Sequence, residues 1–295
     1  MKRRNFIQTA GLAAASALVA PQLLGATRRS ETIKSFGFQA FTVRDVIYKD
    51  MPGTLKRLRK AGYDYMELFD FSDGKILGKP IAEAKAIFEK SKLQVKSIHT
   101  PTGAGERKIP GTLWHEPQRA IDDAATLGAE FIVCPWLMPF ERESIDQYKA
   151  LCEQLNKVGE AAKKSNIQLC YHNHDFEFME LDGEVPMEVI LKETDPQYVK
   201  IELDIYWARK AEKNPLTFFR QNMGRVPLWH VKDLSLDDGQ PMTEIGNGII
   251  DWRQIFGHKN DAGMEYFFVE QDGNFAEDSV SSLETSIKHL KKLVF

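Results

Sequence analysis

From residue 35 onward, the chain alternates between apolar segments typical of β-strands and segments with helical periodicity. The predicted strands are residues 35–43, 63–69, 94–101, 131–136, 167–174, 199–206, 226–233 and 266–272. The predicted helices are residues 54–61, 80–91, 117–127, 144–165, 186–193, 215–222, 251–256 and 279–294. Strict alternation favours parallel strands joined by helical crossovers, and eight such units close into an α/β fold of the (β/α)8 TIM barrel type.

An open, doubly wound sheet is the rival architecture, and two features argue against it. Such a sheet usually has fewer strands, and it favours a glycine-rich phosphate loop after the first strand. Here the first predicted strand is followed by Arg44 and Asp45, which form no such loop. No repeat or linker interrupts residues 35–295. We therefore predict one barrel domain over those residues.

The amino terminus is predicted to lie outside the barrel. Arg3 and Arg4 precede an apolar, alanine-rich run, residues 9–24, that is too short for a comfortable transmembrane span. Residues 1–26 resemble a twin-arginine export signal, with residues 27–34 as a junction. A Sec signal or an uncleaved anchor is the alternative. We expect an exported, periplasmic protein without a stable membrane anchor.

Charge and cysteine content exclude several classes of protein. The formal net charge is −3, so the chain has no basic footprint for nucleic acid. Cys134, Cys152 and Cys170 lie far apart and form no CxxC pair. This spacing argues against a disulfide scaffold and a structural zinc knuckle, and it favours buried free thiols.

Ionisable side chains stand near the carboxyl ends of seven of the eight predicted strands. They are Arg44, Glu67, His99, His172, His174, Glu202, Asp204, His230, Lys232, Glu270 and Asp272. The active site of a parallel barrel lies at this end. Buried charges are costly unless they are paired or bound to a metal. The sequence therefore predicts a functional site at this rim of the barrel.

Four of these residues form a candidate metal site. His172, Asp204, His230 and Glu270 fall on four consecutive predicted strands. Because neighbouring strands lie about 4.8 Å apart, their tips can converge on one centre. Two imidazoles and two carboxylates suit a divalent Mn, Zn, Co or Fe ion better than Ca. A hydrogen-bonded ionic network without a metal is the alternative.

A set of motifs resembles the xylose isomerase-like barrel superfamily, and within it the sugar phosphate isomerase/epimerase group. The motifs are FQAFTVR (38–44), YMEL (65–68), SIHTP (97–101), YHNHDFEF (171–178), LD (203–204), HVKD (230–233), GNGIIDW (246–252) and VE (269–270). Their order is more specific than any one of them. The resemblance covers residue 35 to the carboxyl terminus. It implies relatives that include ketose epimerases, hydroxypyruvate isomerase-like enzymes, inosose dehydratases and lyases of oxidised sugars.

The resemblance also implies metal ligands in the order Glu, Asp, His, Glu on the fifth to eighth strands. Asp204, His230 and Glu270 match this order, but His172 stands where the first glutamate is expected. Glu177, beyond the strand, is the other candidate for that ligand. In the epimerases the two metal-bound glutamates also carry the protons. The departure at His172 therefore argues against two-carboxylate epimerisation and leaves isomerisation or elimination by one base open.

We expect a metal-dependent enzyme that removes a proton next to the carbonyl of a sugar or keto-sugar, because a metal would stabilise the resulting enediolate. Glu270 is the candidate base, with His174 or Glu67 as the acid. The candidate substrate-binding residues are Arg44, His99, Trp136 and Lys232, and Lys232 is also a candidate for catalysis. A homo-oligomer is compatible with these features. The alternatives are a keto-glycoside lyase or dehydratase, a non-catalytic periplasmic carbohydrate-binding protein, and a nuclease.

Overall fold

The computed structural model describes residues 30–105 and 108–295 of the protein. The predicted export signal and the start of the junction lie outside these residues. Eight parallel strands close into a barrel in which consecutive strands are neighbours and the eighth pairs with the first. The strands are β1 Gly37–Gln39, β2 Tyr65–Leu68, β3 Gln94–His99, β4 Phe131–Cys134, β5 Gln168–His172, β6 Val199–Asp204, β7 Leu228–Val231 and β8 Tyr266–Val269. This confirms the predicted (β/α)8 barrel.

Helices cover the outside of the barrel. The crossover helices are α1 Met51–Ala61, α2 Ile81–Ser91, α3 Pro117–Leu127, α4 Ile145–Lys164, α5 Pro186–Glu193, α6 Pro215–Gln221, α7 Trp252–Gly257 and α8 Ser279–Leu290. Shorter helical segments are Ala40–Val43, Arg44–Ile47, Pro139–Glu141, Phe176–Phe178, Ile205–Lys210 and Lys259–Ala262. Small antiparallel sheets join Phe71–Ser72 to Lys75–Ile76 and Lys79–Pro80, and Asp233–Leu234 to Met242–Thr243. Within the described residues, every helix is too short or too polar to cross a membrane.

Local sequence explains where the helices begin and end. Helix α4 starts after Ser144, whose hydroxyl accepts a hydrogen bond from Gln147 N, while the Gln147 side chain accepts from Ser144 N. This reciprocal pair is a capping box. Gly62 and Gly128 end α1 and α3 with φ angles of +113° and +81°. Glycine tolerates this left-handed conformation because it lacks a Cβ atom.

All eight strands end one to four residues before the predicted boundary, and the ends of the sixth and fifth strands lie at the functional rim. The sixth strand stops at Asp204 and not at residue 206, because the Asp204 carboxylate accepts a hydrogen bond from Trp207 N and caps the helix Ile205–Lys210. The fifth strand stops at His172, so His174 lies in the following loop. The boundaries predicted for these two strands are therefore wrong.

The interior of the barrel changes from apolar to polar along the strands. The apolar layer consists of Tyr65, Phe131, Val133, Cys170, Leu228 and Phe268. Glu67, His99, Glu202 and His230 are also buried and belong to the polar part. Cys134, Cys152 and Cys170 are buried free thiols, as predicted. The packed apolar layer closes one end of the barrel, so the polar groups are accessible only from the carboxyl ends of the strands.

Candidate metal centre and active site

A buried layer of two carboxylates and two imidazoles lies inside the barrel. His99 Nε2 is 3.0 Å from Glu67 Oε2 and 2.9 Å from Glu202 Oε2. His230 Nε2 is 2.5 Å from Glu67 Oε2 and 3.2 Å from Glu202 Oε2. Gln39 Nε2 also donates to Glu67 Oε2 at 2.7 Å. Each buried charge therefore has a partner of opposite sign, which offsets the cost of removing it from water.

The pKa shifts of Glu67 and His99 follow from that pairing. Burial alone would raise the pKa of Glu67, but the charges of His99 and His230 lower it well below its usual value. Burial opposes a charge on His99, yet Glu67 and Glu202 raise its pKa to about 9. At neutral pH, Glu67 is therefore an anion and His99 a cation.

Three of the four predicted metal ligands meet above this layer. Ligand atoms of Asp204, His230 and Glu270 lie within 4.8 Å of one another. His230 Nδ1 is 2.6 Å from Glu270 Oε2 and 4.0 Å from Asp204 Oδ2. The fourth, His172, places its Nε2 3.8 Å from Asp204 Oδ2. His172 also belongs to a second set of ligand atoms within the same spacing, together with His99, Glu202 and His230.

His172 is held in the form that a metal requires. Its Nδ1 lies 3.0 Å from Glu202 Oε2. Because a carboxylate only accepts, Nδ1 carries the proton, and the Nε2 lone pair on the Asp204 side is free. Burial and the nearby charge of His230 lower the pKa of His172 well below its usual value, so the ring stays neutral. A carboxylate behind a ligating histidine commonly fixes the tautomer in this way.

Lys232 lies among the carboxylates of the same centre. Its Nζ is 3.0 Å from Asp204 Oδ2, 2.7 Å from Glu270 Oε2 and 2.9 Å from Asp272 Oδ2. Burial opposes its charge, but Asp204, Asp272 and Glu270 together raise its pKa well above the usual value. The ammonium thus neutralises the same oxygens that would coordinate a divalent cation.

The donor set fits a divalent metal. Asp204 Oδ2 is buried and accepts no hydrogen bond; its close ionic contact is with Lys232, and His172 and His230 lie farther away at 3.8 and 4.0 Å. His172 Nε2 is a free neutral donor on the same side. His230 is charged, because Glu202, Glu270 and Glu67 together outweigh its burial and raise its pKa well above the usual value. Metal binding at its Nδ1 therefore requires loss of one proton, as is usual for a histidine ligand.

The side chain of Glu177, the other candidate for the first ligand, is hydrogen-bonded to groups outside the candidate metal centre. Its side chain is fully buried, with Oε1 accepting from Tyr171 Oη and Oε2 accepting from His174 N, both at 2.7 Å. These bonds fix the loop that carries His174. Of the two candidates, His172 is therefore the one that lies at the candidate metal centre.

The buried Glu177 gives a prediction for the pH dependence of stability. Burial raises its pKa to about 7 from an ordinary 4.5, despite its hydrogen bonds with Tyr171 and His174. The folded state therefore binds the proton more tightly, and the unfolding free energy falls as pH rises from about 4.5 to about 7. Relative to Glu177→Gln, whose amide can keep both contacts, wild-type protein should lose about 2–3 kcal/mol between pH 5 and pH 8. Urea unfolding at the two pH values measures this difference. The exposed Glu180→Gln retains Glu177 and should lose as much stability as wild type, and an equal loss in Glu177→Gln would contradict the prediction.

The imidazole of His174 lies beside the site and is packed between aromatic side chains. Its ring centroid lies 4.5 Å from that of Trp136 in an edge contact and 5.5 Å from that of Phe176 in a stacked contact. Burial and the charge of Lys232 lower its pKa to about 2, so the ring is neutral. Its Nδ1 is buried and makes no hydrogen bond. A neutral imidazole with an unused nitrogen is suited to bind a hydroxyl or carbonyl of a ligand.

A cavity of about 610 Å³ opens over this centre. Six of the predicted site residues line it, namely His99, Trp136, His172, His174, Lys232 and Glu270. Glu67 is fully buried in the layer below, so it has no contact with the cavity and does not fit the predicted role of acid. Arg44 donates hydrogen bonds to the backbone oxygens of Phe41 and Asp272. Its guanidinium therefore holds the backbone in place and does not fit the predicted role of substrate ligand.

Two residues of the centre receive no role from the sequence alone. Glu202 orients His172 and contacts His99 and His230. Asp272 accepts from Lys232 and lines the cavity. The sequence does indicate that both side chains point into the barrel, because each lies two residues from a candidate ligand and therefore on the same face of the chain.

Comparisons with known proteins agree with this architecture. A family model described as xylose isomerase-like TIM barrel matches residues 55–293. Inosose dehydratase of Geobacillus thermodenitrificans is 23% identical over 146 residues, which cover 43% of this chain and 48% of that protein. The chain spans about half the length of the curated relatives it matches.

Solved structures extend the comparison to nearly the whole barrel. A sugar phosphate isomerase/epimerase from Parabacteroides distasonis has 27% identity and a TM-score of 0.74, covering 88% of this chain and 93% of that one. An IOLI protein with a bound zinc atom has 15% identity and a TM-score of 0.66, covering 86% and 96%. The family match spans most of the chain, and the closed barrel agrees with it, so the protein belongs to the xylose isomerase-like TIM barrel family.

Proposed function

We propose that the protein is a metal-dependent enzyme that removes a proton next to a carbonyl group of a sugar or keto-sugar. The observation that carries this proposal is the convergence of Asp204, His230 and Glu270, with the neutral His172 beside them, at the floor of a cavity. The product is then an isomerised or epimerised sugar, or the product of elimination of water or an alcohol. The similarity to inosose dehydratases and to a sugar phosphate isomerase/epimerase supports this class of reaction.

His172, Asp204, His230 and Glu270 would hold a divalent ion such as Mn, Zn, Co or Fe. Such an ion supplies Lewis-acid chemistry, because it polarises a carbonyl and stabilises the negative charge that forms when the adjacent proton leaves. The layer below orients the ligands: Glu202 holds His172 and Glu67 holds His230. Supporting carboxylates of this kind commonly change metal affinity or activity 10–100-fold, in order of magnitude.

Glu270 is the proton acceptor in this proposal. It lines the cavity and is 5% exposed, so a substrate can reach its carboxylate. Burial opposes its charge, but Lys232 and His230 lower its pKa below the usual value and keep it ionised at neutral pH. A substrate oxygen that draws the Lys232 ammonium away from Glu270 makes the carboxylate more basic when the proton must be taken.

His174 and Lys232 act as the partners of Glu270. His174 lines the cavity as a neutral imidazole, and its pKa of about 2 suits hydrogen bonding to a substrate oxygen better than the predicted role of acid. Glu177 fixes His174 through the bond to its backbone. Lys232 binds a developing anionic oxygen through its ammonium. With His172 in the position of a second carboxylate, one carboxylate base removes the proton, which favours isomerisation or elimination over two-base epimerisation.

Three measurements on purified protein test the proposal. Metal content is expected to be about one divalent ion per chain, and a panel of keto-sugars in D2O is expected to incorporate deuterium next to the carbonyl, followed by NMR. Loss of water or an alcohol from the product identifies a dehydratase or lyase, and retention of mass identifies an isomerase or epimerase. Protein without metal and without exchange overturns the proposal. Sugar binding without exchange identifies a non-catalytic carbohydrate-binding protein, and nicking of abasic DNA identifies a nuclease.

A further inference from the structure

We infer that the cavity binds a neutral glycoside whose sugar carries an apolar ring as its aglycone, and that it disfavours phosphorylated sugars. This inference rests on the proposed function, because it concerns the substrate of the same site. It depends on three properties of the cavity: the separation of polar from apolar lining residues, the volume, and the pairing of its lysine with carboxylates.

The cavity has a polar floor and apolar walls. His172, His174, Lys232, Glu270 and Asp272 lie at the floor, where they can hydrogen-bond to the hydroxyls of one sugar ring. The wall-forming residues are mostly aromatic or aliphatic, and they are Phe41, Tyr48, Phe69, Phe71, Pro101, Ile109, Pro135 and Trp136. Polar groups at the floor orient a ligand, while apolar walls favour a ligand with an apolar part.

Aromatic rings form two separate walls. Phe41 and Phe69 make an edge contact at 5.2 Å, and Tyr48 packs against Phe69 at 6.1 Å, on the side of β1 and β2. Trp136 stands after β4, next to His174. Tyr48 and Trp136 are 50% and 42% exposed. Large aromatic side chains that stay exposed around a cavity gain stability when a flat apolar ligand covers them.

The size of the cavity exceeds what one sugar ring requires. Its volume of about 610 Å³ lies in the middle of the range of roughly 300–1,000 Å³ that is typical of sites for drug-sized ligands. A monosaccharide on the floor would leave the aromatic walls uncovered. A second ring, joined to the sugar through its glycosidic oxygen, fills that space.

The charges of the lining residues disfavour a phosphate group. Lys232 is the only lysine or arginine among the described residues that line the cavity, and its ammonium already contacts three carboxylates. Asp70, Glu270 and Asp272 line the same cavity and add negative charge. Apart from an ion at the metal centre, a phosphate dianion would meet these carboxylates without a free lysine or arginine, and like charges repel.

Calorimetric binding of three probes to the purified, Mn²⁺-supplemented protein tests the inference. Phenyl β-glucopyranoside is expected to bind at least about tenfold more tightly than methyl β-glucopyranoside, because the aryl ring covers the aromatic walls. Glucose 6-phosphate is expected to bind more weakly than either. Trp136→Ala and Tyr48→Ala should each reduce the preference for the phenyl glycoside about threefold or more. Met223→Ala removes a side chain that is 69% exposed and does not line the cavity, so it should leave the preference unchanged.

Four outcomes overturn the inference. They are equal affinities for the two glycosides, no binding of the phenyl glycoside, tighter binding of glucose 6-phosphate, and an unchanged preference in both wall variants. The assay measures binding without turnover, so these outcomes are independent of the deuterium-exchange test. Exchange without a phenyl preference contradicts only this inference, and a phenyl preference without exchange contradicts only the proposed chemistry.

Discussion

Replacing Glu270 with glutamine is expected to lower the rate of substrate deuterium exchange by at least about 10³-fold. The change removes the carboxylate that is the proposed proton acceptor and a proposed metal ligand. Glutamine preserves the length of the side chain, and its carbonyl oxygen can still accept from His230 Nδ1 or Lys232 Nζ, which lie 2.6 and 2.7 Å from Glu270 Oε2. The fold should therefore persist, and the exchange rate and the circular dichroism spectrum report chemistry and folding separately.

Two further variants separate the roles of Glu270. Glu265→Gln makes the same chemical change on an exposed residue just before β8, at the opposite end of the barrel, and should keep wild-type exchange. Asp204→Asn weakens the metal centre but leaves the Glu270 carboxylate, so excess metal should restore part of its activity. Excess metal should restore little activity to Glu270→Gln. If Glu270→Gln retains more than about a tenth of the wild-type rate, Glu270 is not the proton acceptor.

The sequence predicts the barrel well because its signals are local and repeated. Glycine ends helices at Gly62 and Gly128, and proline begins the helix at Pro117, in the structure as in the prediction. Parity along a strand also predicts which side chains point inward. Because His172, Asp204, His230 and Glu270 lie in or directly after four consecutive strands, their proximity follows from strand order.

The alternation of side chains along a strand predicts which ones point inward, but not how far along the barrel axis each one lies. Glu67 stands at a strand end with inward parity, but strand tilt and stagger place it in the layer below the cavity, bonded to His230. Arg44 is long enough to reach in several directions, and tertiary contacts direct it to the Asp272 carbonyl. His174 lies in the cavity although it is outside the strand, because the loop bond to Glu177 positions it. These placements depend on contacts between residues far apart in the chain.

The same limit applies to Lys232, whose role depends on three carboxylates from two other strand ends. Its ammonium lies 2.7–3.0 Å from Asp204, Glu270 and Asp272, and the side chain is 2% exposed. Removing the cation leaves Asp204 without a close cationic partner and Glu270 with His230 alone. A divalent ion at His172, Asp204, His230 and Glu270 would neutralise two of the same carboxylates. The ammonium and the ion therefore compete for Asp204 and Glu270.

Lys232→Met keeps the aliphatic part of the side chain and removes the charge. In EDTA, the unfolding free energy of this variant is expected to fall by about 3–5 kcal/mol, because breaking a buried ion pair leaves uncompensated charge. Saturating Mn²⁺ should recover much of this loss, since a ligand that binds only the folded state stabilises it by an amount that rises with the logarithm of its concentration relative to Kd. The variant should also bind Mn²⁺ at least about tenfold more tightly than wild type, a difference of roughly 1.4 kcal/mol.

Urea unfolding with and without Mn²⁺, together with calorimetric titration of the metal, measures both effects. Lys192→Met is the matched control, because Lys192 is 77% exposed and pairs only with Glu193 among the described residues. It should change neither stability nor metal affinity. Weaker Mn²⁺ binding by Lys232→Met would mean that the lysine supports the metal site instead of competing with the ion. Equal binding would mean that the ammonium moves to Asp272 without loss of free energy when the ion arrives.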